Sequence, residues 1–260
     1  MPISPVRGRA FARLQATLLA LWALSASRAG LCDEAAWNVV QNLKAAYANH
    51  MPDDMSCVMR VSFLPGEDRD GFQVRHPIPA LKMLWKKPNR MTFTFLEKDP
   101  RGTSYFEARL QPFFARLKRM RAVNELNISL FDVAFAVLEG DANSKVLGHE
   151  TIGGRKSTQV HFPSIFAPLP MGARGNGLKL WVDDDNGLPL QVRFFTNRGI
   201  FTFTTTYETQ KDKTGRSYLL PVSVVLTPDL TEKRRSAAFP ITTSITDYQL
   251  NTGLDNAAFE

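Results

Sequence analysis

From residue 178 onward, apolar and polar positions alternate over long runs. In "LKLWVDDDNGLPLQVRFFTNRGIFTFTTTYE", Leu178, Leu180 and Val182 share one side at period two, and Asp185-Asn186-Gly187 interrupts the run. Leu190, Val192 and Phe194 alternate back, and Asn197 to Gly199 turns again into Phe201, Phe203 and Tyr207. Leu219 to Leu226 and Ile241 to Leu250 follow the same pattern. This periodicity predicts an antiparallel meander with one apolar face.

Upstream, "DEAAWNVVQNLKAAYANH" changes period: Ala36, Val40, Leu43 and Tyr47 form one helical stripe, with Asp33 and Glu34 at the end where the helix dipole favours negative charge. A helix with one apolar stripe needs a surface to lie on. Strand patterning resumes at "MSCVMRVSF"; the acidic, Gly-containing "LPGEDRDGF" reads as a hairpin loop. "IPALKMLWKKPNRMTFTFLEK" gives two more strands around Lys87-Pro88-Asn89, with Leu81, Met83 and Trp85 on one face and Met91, Phe93 and Phe95 on another. Both faces are candidates for one apolar interior.

The segment Tyr105 to Met120 fits either a helical stripe or short strands. It lies in the most basic part of the chain, where Arg101, Arg109, Arg116, Lys118, Arg119 and Arg121 outnumber Glu107. Such a run is either a solvated face or a contact for anionic lipid headgroups. "NISLFDVAFAVLEGD" opens with Ser129 three residues before Asp132 and closes at Gly140, which predicts a short helix. "KVLGHETIGGRKSTQVHF" predicts a hairpin around Gly153-Gly154, and "PSIFAPLPMGARGNG" an irregular rim loop or lid. The fold class expected is α+β, mainly antiparallel β.

The first 29 residues add a compartment. Arg7, Arg9 and Arg13 precede an apolar run from Ala16 to Leu24, and Ser27 and Ala29 stand at the small-residue positions of a cleavage site before Gly30. Nine or so apolar residues are too few to span a bilayer, which takes roughly 20. The reading is a signal peptide over 1–29, an exported, periplasmic product, and one domain over 30–260. Its removal takes four of the 32 basic residues and no acid, so 28 Lys and Arg face 25 Asp and Glu, a net +3 in place of +7. Nucleic-acid binding would need a basic stripe with a known reading module, so nucleic acid is not an expected partner. Cys32 and Cys57 both remain, and an oxidising compartment suggests a disulfide between them. Two free thiols, or lipidation of Cys32, are the alternatives, although Leu31 and Ala29 reverse the residue order a lipidation signal uses.

Catalytic and metal constellations are missing from the pattern. His50, His76, His149 and His161 lack ligand spacing, and "DDDNG" fails as an EF-hand loop because counting back from Gly187 puts Val182 at its first position. A hairpin turn accounts for those residues. "GGRKST" lacks the full phosphate-loop spacing, and Asn127-Ile128-Ser129 is a glycosylation sequon of meaning only in a eukaryotic chain. No enzyme activity, cofactor or metal is expected.

Taken in order, the N-terminal helix before a strand, "LWKKPNR", "LWVDDDNGLPLQVRF" and the closing "ITDYQLNTGLDNAAFE" carry a resemblance. The chain resembles the LolA-like superfamily of periplasmic lipoprotein- and lipid-binding proteins, which includes the outer-membrane lipoprotein carrier and RseB-type sensors. The resemblance implies an unclosed, curved β-barrel, with an N-terminal helix and a helical lid or insertion, around an apolar cavity for the acyl chains of a lipid or lipoprotein. Met83, Trp85, Met91, Phe93, Phe95, Phe194, Phe201 and Phe203 would then contact ligand, although inward aromatics serve equally as core. Lys87 stands where the carrier has a lid-holding Arg, and a lysine has no planar bidentate fork. "RGTSYFEA" replaces the carrier's D-G-x-x-L-W strand start. The implied role is a non-enzymatic carrier working toward the outer membrane, with an inner-membrane donor complex or an outer-membrane acceptor as partner. The alternative is an envelope sensor or assembly module that binds a protein partner through the same sheet.

Overall fold

A computed structural model describes residues 33–63, 80–87, 90–96, 130–164, 175–197, 199–230 and 240–259. The signal segment, Cys32, "LPGEDRDGF", the basic stretch from Arg101 to Arg121, the sequon and Ser129 lie outside the described residues, as do 165–174 of the Pro- and Gly-rich stretch.

Helix α1 runs Glu34–His50. Asp33 caps it, its carboxylate accepting the Ala35 N–H at 3.1 Å, and Met51 N–H closes the last turn on the Tyr47 carbonyl at 2.9 Å. Its buried face is Ala36, Val40, Leu43 and Ala46. Ala46 thus completes the stripe that the sequence closed on Tyr47, because the small residue lets the helix settle closer to the β-layer. The half-buried Tyr47 ring instead meets Phe135 at 5.7 Å, edge on.

Among the described residues ten strands follow: β1 Asp54–Phe63, β2 Leu81–Lys86, β3 Arg90–Phe95, β4 Lys145–Ile152, β5 Arg155–Phe162, β6 Gly175–Asp183, β7 Pro189–Thr196, β8 Gly199–Lys211, β9 Ser217–Leu230 and β10 Ile241–Leu250. Helix α2, Leu130–Glu139, is inserted between β3 and β4, and a 3-10 turn, Asn256–Phe259, ends the described chain. All pairings are antiparallel in one sheet of order β3-β2-β1-β10-β9-β8-β7-β6-β5-β4. The fold is the expected one: an unclosed, curved antiparallel β-barrel with β3 and β4 at its edges, an N-terminal helix and a helical insertion. Register shifts at Ser56/Val58, Val146/Gly148 and Thr206/Tyr207 supply the extra twist that bends long strands. Strand β6 begins at Gly175 and so takes in the last three residues of the stretch expected to be irregular.

The main core lies where α1 and α2 cover one face of β5 and β6: Val40, Leu43, Phe135, Val160, Phe162, Leu178 and Leu180 are all buried. Asp54, a buried carboxylate on β1, accepts Thr252 N–H at 2.8 Å, Thr252 Oγ1–H at 3.1 Å and Gly253 N–H at 3.0 Å. Those bonds hold the last segment against the start of β1, since a buried carboxylate is tolerated only when its oxygens are satisfied.

Candidate functional site

Residues paired across an antiparallel ladder share a face, and side chains alternate along each strand. Following the pairs therefore shows which side chains look the same way. Val160, buried under α1, pairs with Leu180, Leu180 with Val192, Val192 with Phe203, Phe203 with Leu226, and Leu226 with Ile241. One rung away, Leu178 pairs with Phe194 and Phe194 with Phe201. Ile245, two alternations along β10 from Ile241, pairs with Met59, and Met59 with Leu81, which faces Phe95. The same ladder carries Cys57–Met83–Phe93 and Met55–Trp85–Met91. All eight residues proposed from the sequence as ligand contacts thus fall on the inner face, the one packed under α1.

They do not form one cluster. Met83, Trp85 and Met91 gather with Met55, Leu220 and Leu250. Phe194, Phe201 and Phe203 gather with Leu226 and Leu230. Four strand spacings separate β2 from β8, about 19 Å along the sheet. Burial divides the eight further. Trp85 and Phe201 are each 6% exposed and serve as core, whereas Met83, Met91, Phe93, Phe95, Phe194 and Phe203 are half-buried, so part of each ring or thioether remains accessible.

Lys87 sits at the β2–β3 turn. Its ammonium donates to the Met51 carbonyl at 3.1 Å and lies 3.0 Å from the Asp53 carboxylate, so it fastens that turn to the residues that follow α1. Cys57 is buried, 1% exposed, and has no disulfide partner among the described residues, which do not include Cys32; burial pushes its thiol pKa up to about 12.

The polar residues that invited other chemistry have structural duties. Asp183 is buried against Arg155 Nε at 2.6 Å, and it accepts from Asp185 N–H and Asn186 Nδ2, which locks the β6–β7 hairpin turn. His149 shares Asp184 with the Thr158 hydroxyl. Among the described residues no three His, Cys, Asp or Glu side chains come together as a metal site. A cleft of about 350 Å³ does exist between α1 and that turn, lined by Val39, Asn42, Asn49, His50, Asp184 and Asn186. Its lining is mixed, with Ala45, Ala46 and Val182 beside the polar groups, and it lies over the β6–β7 turn, away from the aromatic clusters. His50 there accepts the Leu219 N–H at 3.3 Å, and burial lowers its pKa, so the imidazole acts as a neutral acceptor.

Sequence patterning missed the outer face. Trp181, the largest fully buried side chain among the described residues, points outward from β6; its indole N–H donates to Glu150 at 2.6 Å and its ring lies under the Arg193 guanidinium at 5.1 Å. Its place between Leu180 and Val182 in the alternation was the available signal.

No protein-family model matches the sequence, and no curated protein matches it. Solved structures similar to it include a domain described as an outer membrane lipoprotein-sorting protein domain from Vibrio parahaemolyticus, at 12% identity and a TM-score of 0.44, covering 86% of this chain and 95% of that one. A DUF1329 family protein from Desulfovibrio piger is similar at 11% identity and a TM-score of 0.45, covering 87% and 96%. A LolA superfamily protein from Nitrosomonas europaea follows at 12% identity and 0.39, covering 85% and 96%. At such identities and scores no activity passes from them to this chain.

Proposed function

We propose that residues 30–260 form an exported, non-enzymatic binding protein whose inner sheet face shelters the acyl chains of a lipid or lipoprotein. The observation that carries this reading is the ladder register. It puts six half-buried apolar side chains from four strands, Met83, Met91, Phe93, Phe95, Phe194 and Phe203, on one face. An apolar face of that composition suits a ligand without hydrogen-bonding demands. Binding would be driven by burial at roughly 0.8 kcal/mol per CH2, so a long chain gains enough to offset the ordering it undergoes. Trp85 and Phe201 would brace the wall from within the core.

In this reading α1 is the cover and Lys87 its fastening, since the ammonium holds Met51, the residue that caps α1. An exposed lysine pair of this kind adds little stability, about 0–1 kcal/mol, which suits a contact that has to open. Release would follow when an acceptor binds the chain more tightly or when the cover moves. Transport between an inner-membrane donor and an outer-membrane acceptor is the process such a carrier would serve. Mass spectrometry of organic extracts from protein purified without detergent tests the reading. Stoichiometric co-purifying lipid is expected; a clean extract together with a tightly held protein partner would favour a sensor or assembly role instead.

A further inference from the structure

The outer face carries a feature that no single segment of the sequence displays. Lys145 on β4 pairs with His161 on β5, His161 with Lys179 on β6, Lys179 with Arg193 on β7, and Arg193 with Thr202 on β8. Three permanent cations and a histidine therefore stand side by side on four consecutive strands, a row about 14 Å long at ordinary strand spacing. Like charges directly opposite each other destabilise a sheet. Among the described residues, Lys145, Lys179 and Arg193 have no carboxylate within ion-pair distance, and Arg193 Nε is buried without a hydrogen-bond acceptor. The nearby acid, Asp141, is already engaged by the Asn143 and Ser164 N–H groups.

Aromatic rings organise the row. Lys179 lies over Phe195 at 6.0 Å, Arg193 over Trp181 at 5.1 Å, and His161 meets Phe195 edge on at 6.3 Å. Ring faces of this kind hold basic side chains in place without neutralising them. Arg193 and Thr202 form the fourth pair from the β7–β8 turn, close to one end of the sheet. Their chain neighbours Phe194, Phe201 and Phe203 project to the other face. At this end the wall is thus cationic outside and aromatic inside.

We propose that the row Lys145–His161–Lys179–Arg193 docks the chain on the phosphate plane of an anionic membrane. One phosphate cannot span a row of this length; a plane of phosphates engages all of it, with the arginine fork and the lysine point charges each taking a different headgroup. Burial first, then Lys179 and Lys145, lower the His161 pKa, and Asp141 opposes them. The inference concerns a different surface from the acyl-chain site and holds whatever that site takes.

The test is sedimentation of the full chain with vesicles of phosphatidylglycerol and phosphatidylcholine at 3:7, against pure phosphatidylcholine and against inorganic phosphate as competitor. Binding to the anionic vesicles alone, weakening as salt rises, is expected. The exposed or half-exposed substitutions Lys145→Gln and Lys179→Gln should each lower the affinity about fivefold, and the pair about thirtyfold. Uptake of a fluorescent fatty acid from solution should be unchanged in the pair, which separates this surface from the inner face. Equal binding to neutral vesicles, indifference to salt, or full displacement by millimolar phosphate would overturn the proposal. So would an unchanged affinity in the double variant while Arg116→Gln with Arg119→Gln abolishes binding, because the basic stretch 101–121 would then be the contact.

Discussion

The rings of Phe194 and Phe203 meet edge to face, 5.8 Å between centroids and 87° between planes, across the β7–β8 ladder. They are not direct partners: Phe194 pairs with Phe201 and Phe203 with Val192, so the contact is diagonal. Phe201, 6% exposed, is sealed by this pair and by Leu230, while Phe203 stays half-buried. Adjacent alternation positions thus have different duties. Phe201→Ala should cost about 3–5 kcal/mol, the range for a buried aromatic, and Phe203→Ala clearly less. Chemical denaturation of both variants checks this, and equal losses would contradict the assignment.

Gly187 stands directly beneath α1. A Cβ there would lie 3.0 Å from Ala46 Cβ and 3.1 Å from the Asn42 carbonyl, at a φ of +72° that disfavours any L side chain. Gly187→Ala should therefore cost about 1–3 kcal/mol, through strain and through displacement of the helix. Gly153, at φ +57° with nothing within 4 Å of its would-be Cβ, is the control and should lose only the backbone component. Thermal denaturation with Gly153→Ala as unstable as Gly187→Ala would show that helix contact is unimportant.

Asp212 links the β8–β9 hairpin to the last strand. Its carboxylate accepts from the Thr214 hydroxyl at 2.6 Å and from Asn251 Nδ2 at 2.9 Å, and these bonds hold its pKa well below the usual carboxylate range. A folded-state pKa below the unfolded one contributes stability at neutral pH that is lost as pH falls. Asp212→Asn should accordingly be less stable than the native chain at pH 7, with the gap narrowing below about pH 4, where the unfolded carboxyl protonates. A gap of constant size from pH 7 to pH 2 would contradict the linkage.

At 1% exposure and with its thiol pushed up to about 12, Cys57 should resist alkylation in the native protein at pH 8 and label only on unfolding. Rapid native labelling would place it elsewhere. Labelling after unfolding but before reduction decides the proposed pairing with Cys32: a bridge yields no label, and two labels exclude it.

What the sequence revealed was local. Period-two alternation in Leu178–Val182 and Leu190–Phe194 located strands and turns, and the stripe from Ala36 to Leu43 located α1, because these patterns repeat within a few residues. The inner face was legible for the same reason, strand by strand. Cross-strand consequences were not. Lys145, His161, Lys179 and Arg193 are each one ordinary polar position in a separate strand, and only the register aligns them. Nor does alternation separate Phe201 from Phe203, since burial depends on what packs above each. The role of Gly187 is likewise invisible without the helix that crosses it.

The central claim is that the inner face takes an acyl chain, and uptake of a fluorescent fatty-acid probe by Phe93→Glu and Phe203→Glu measures it most directly. Both residues are half-buried on that face, one on β3 and one on β8, so each substitution puts a carboxylate where its charged form is disfavoured. In an accessible cavity, water can reach the new carboxylate. The account predicts that both variants fold and unfold in one cooperative transition, while probe uptake is lost. Folded variants that bind the probe with unchanged affinity would show that these residues do not line the site.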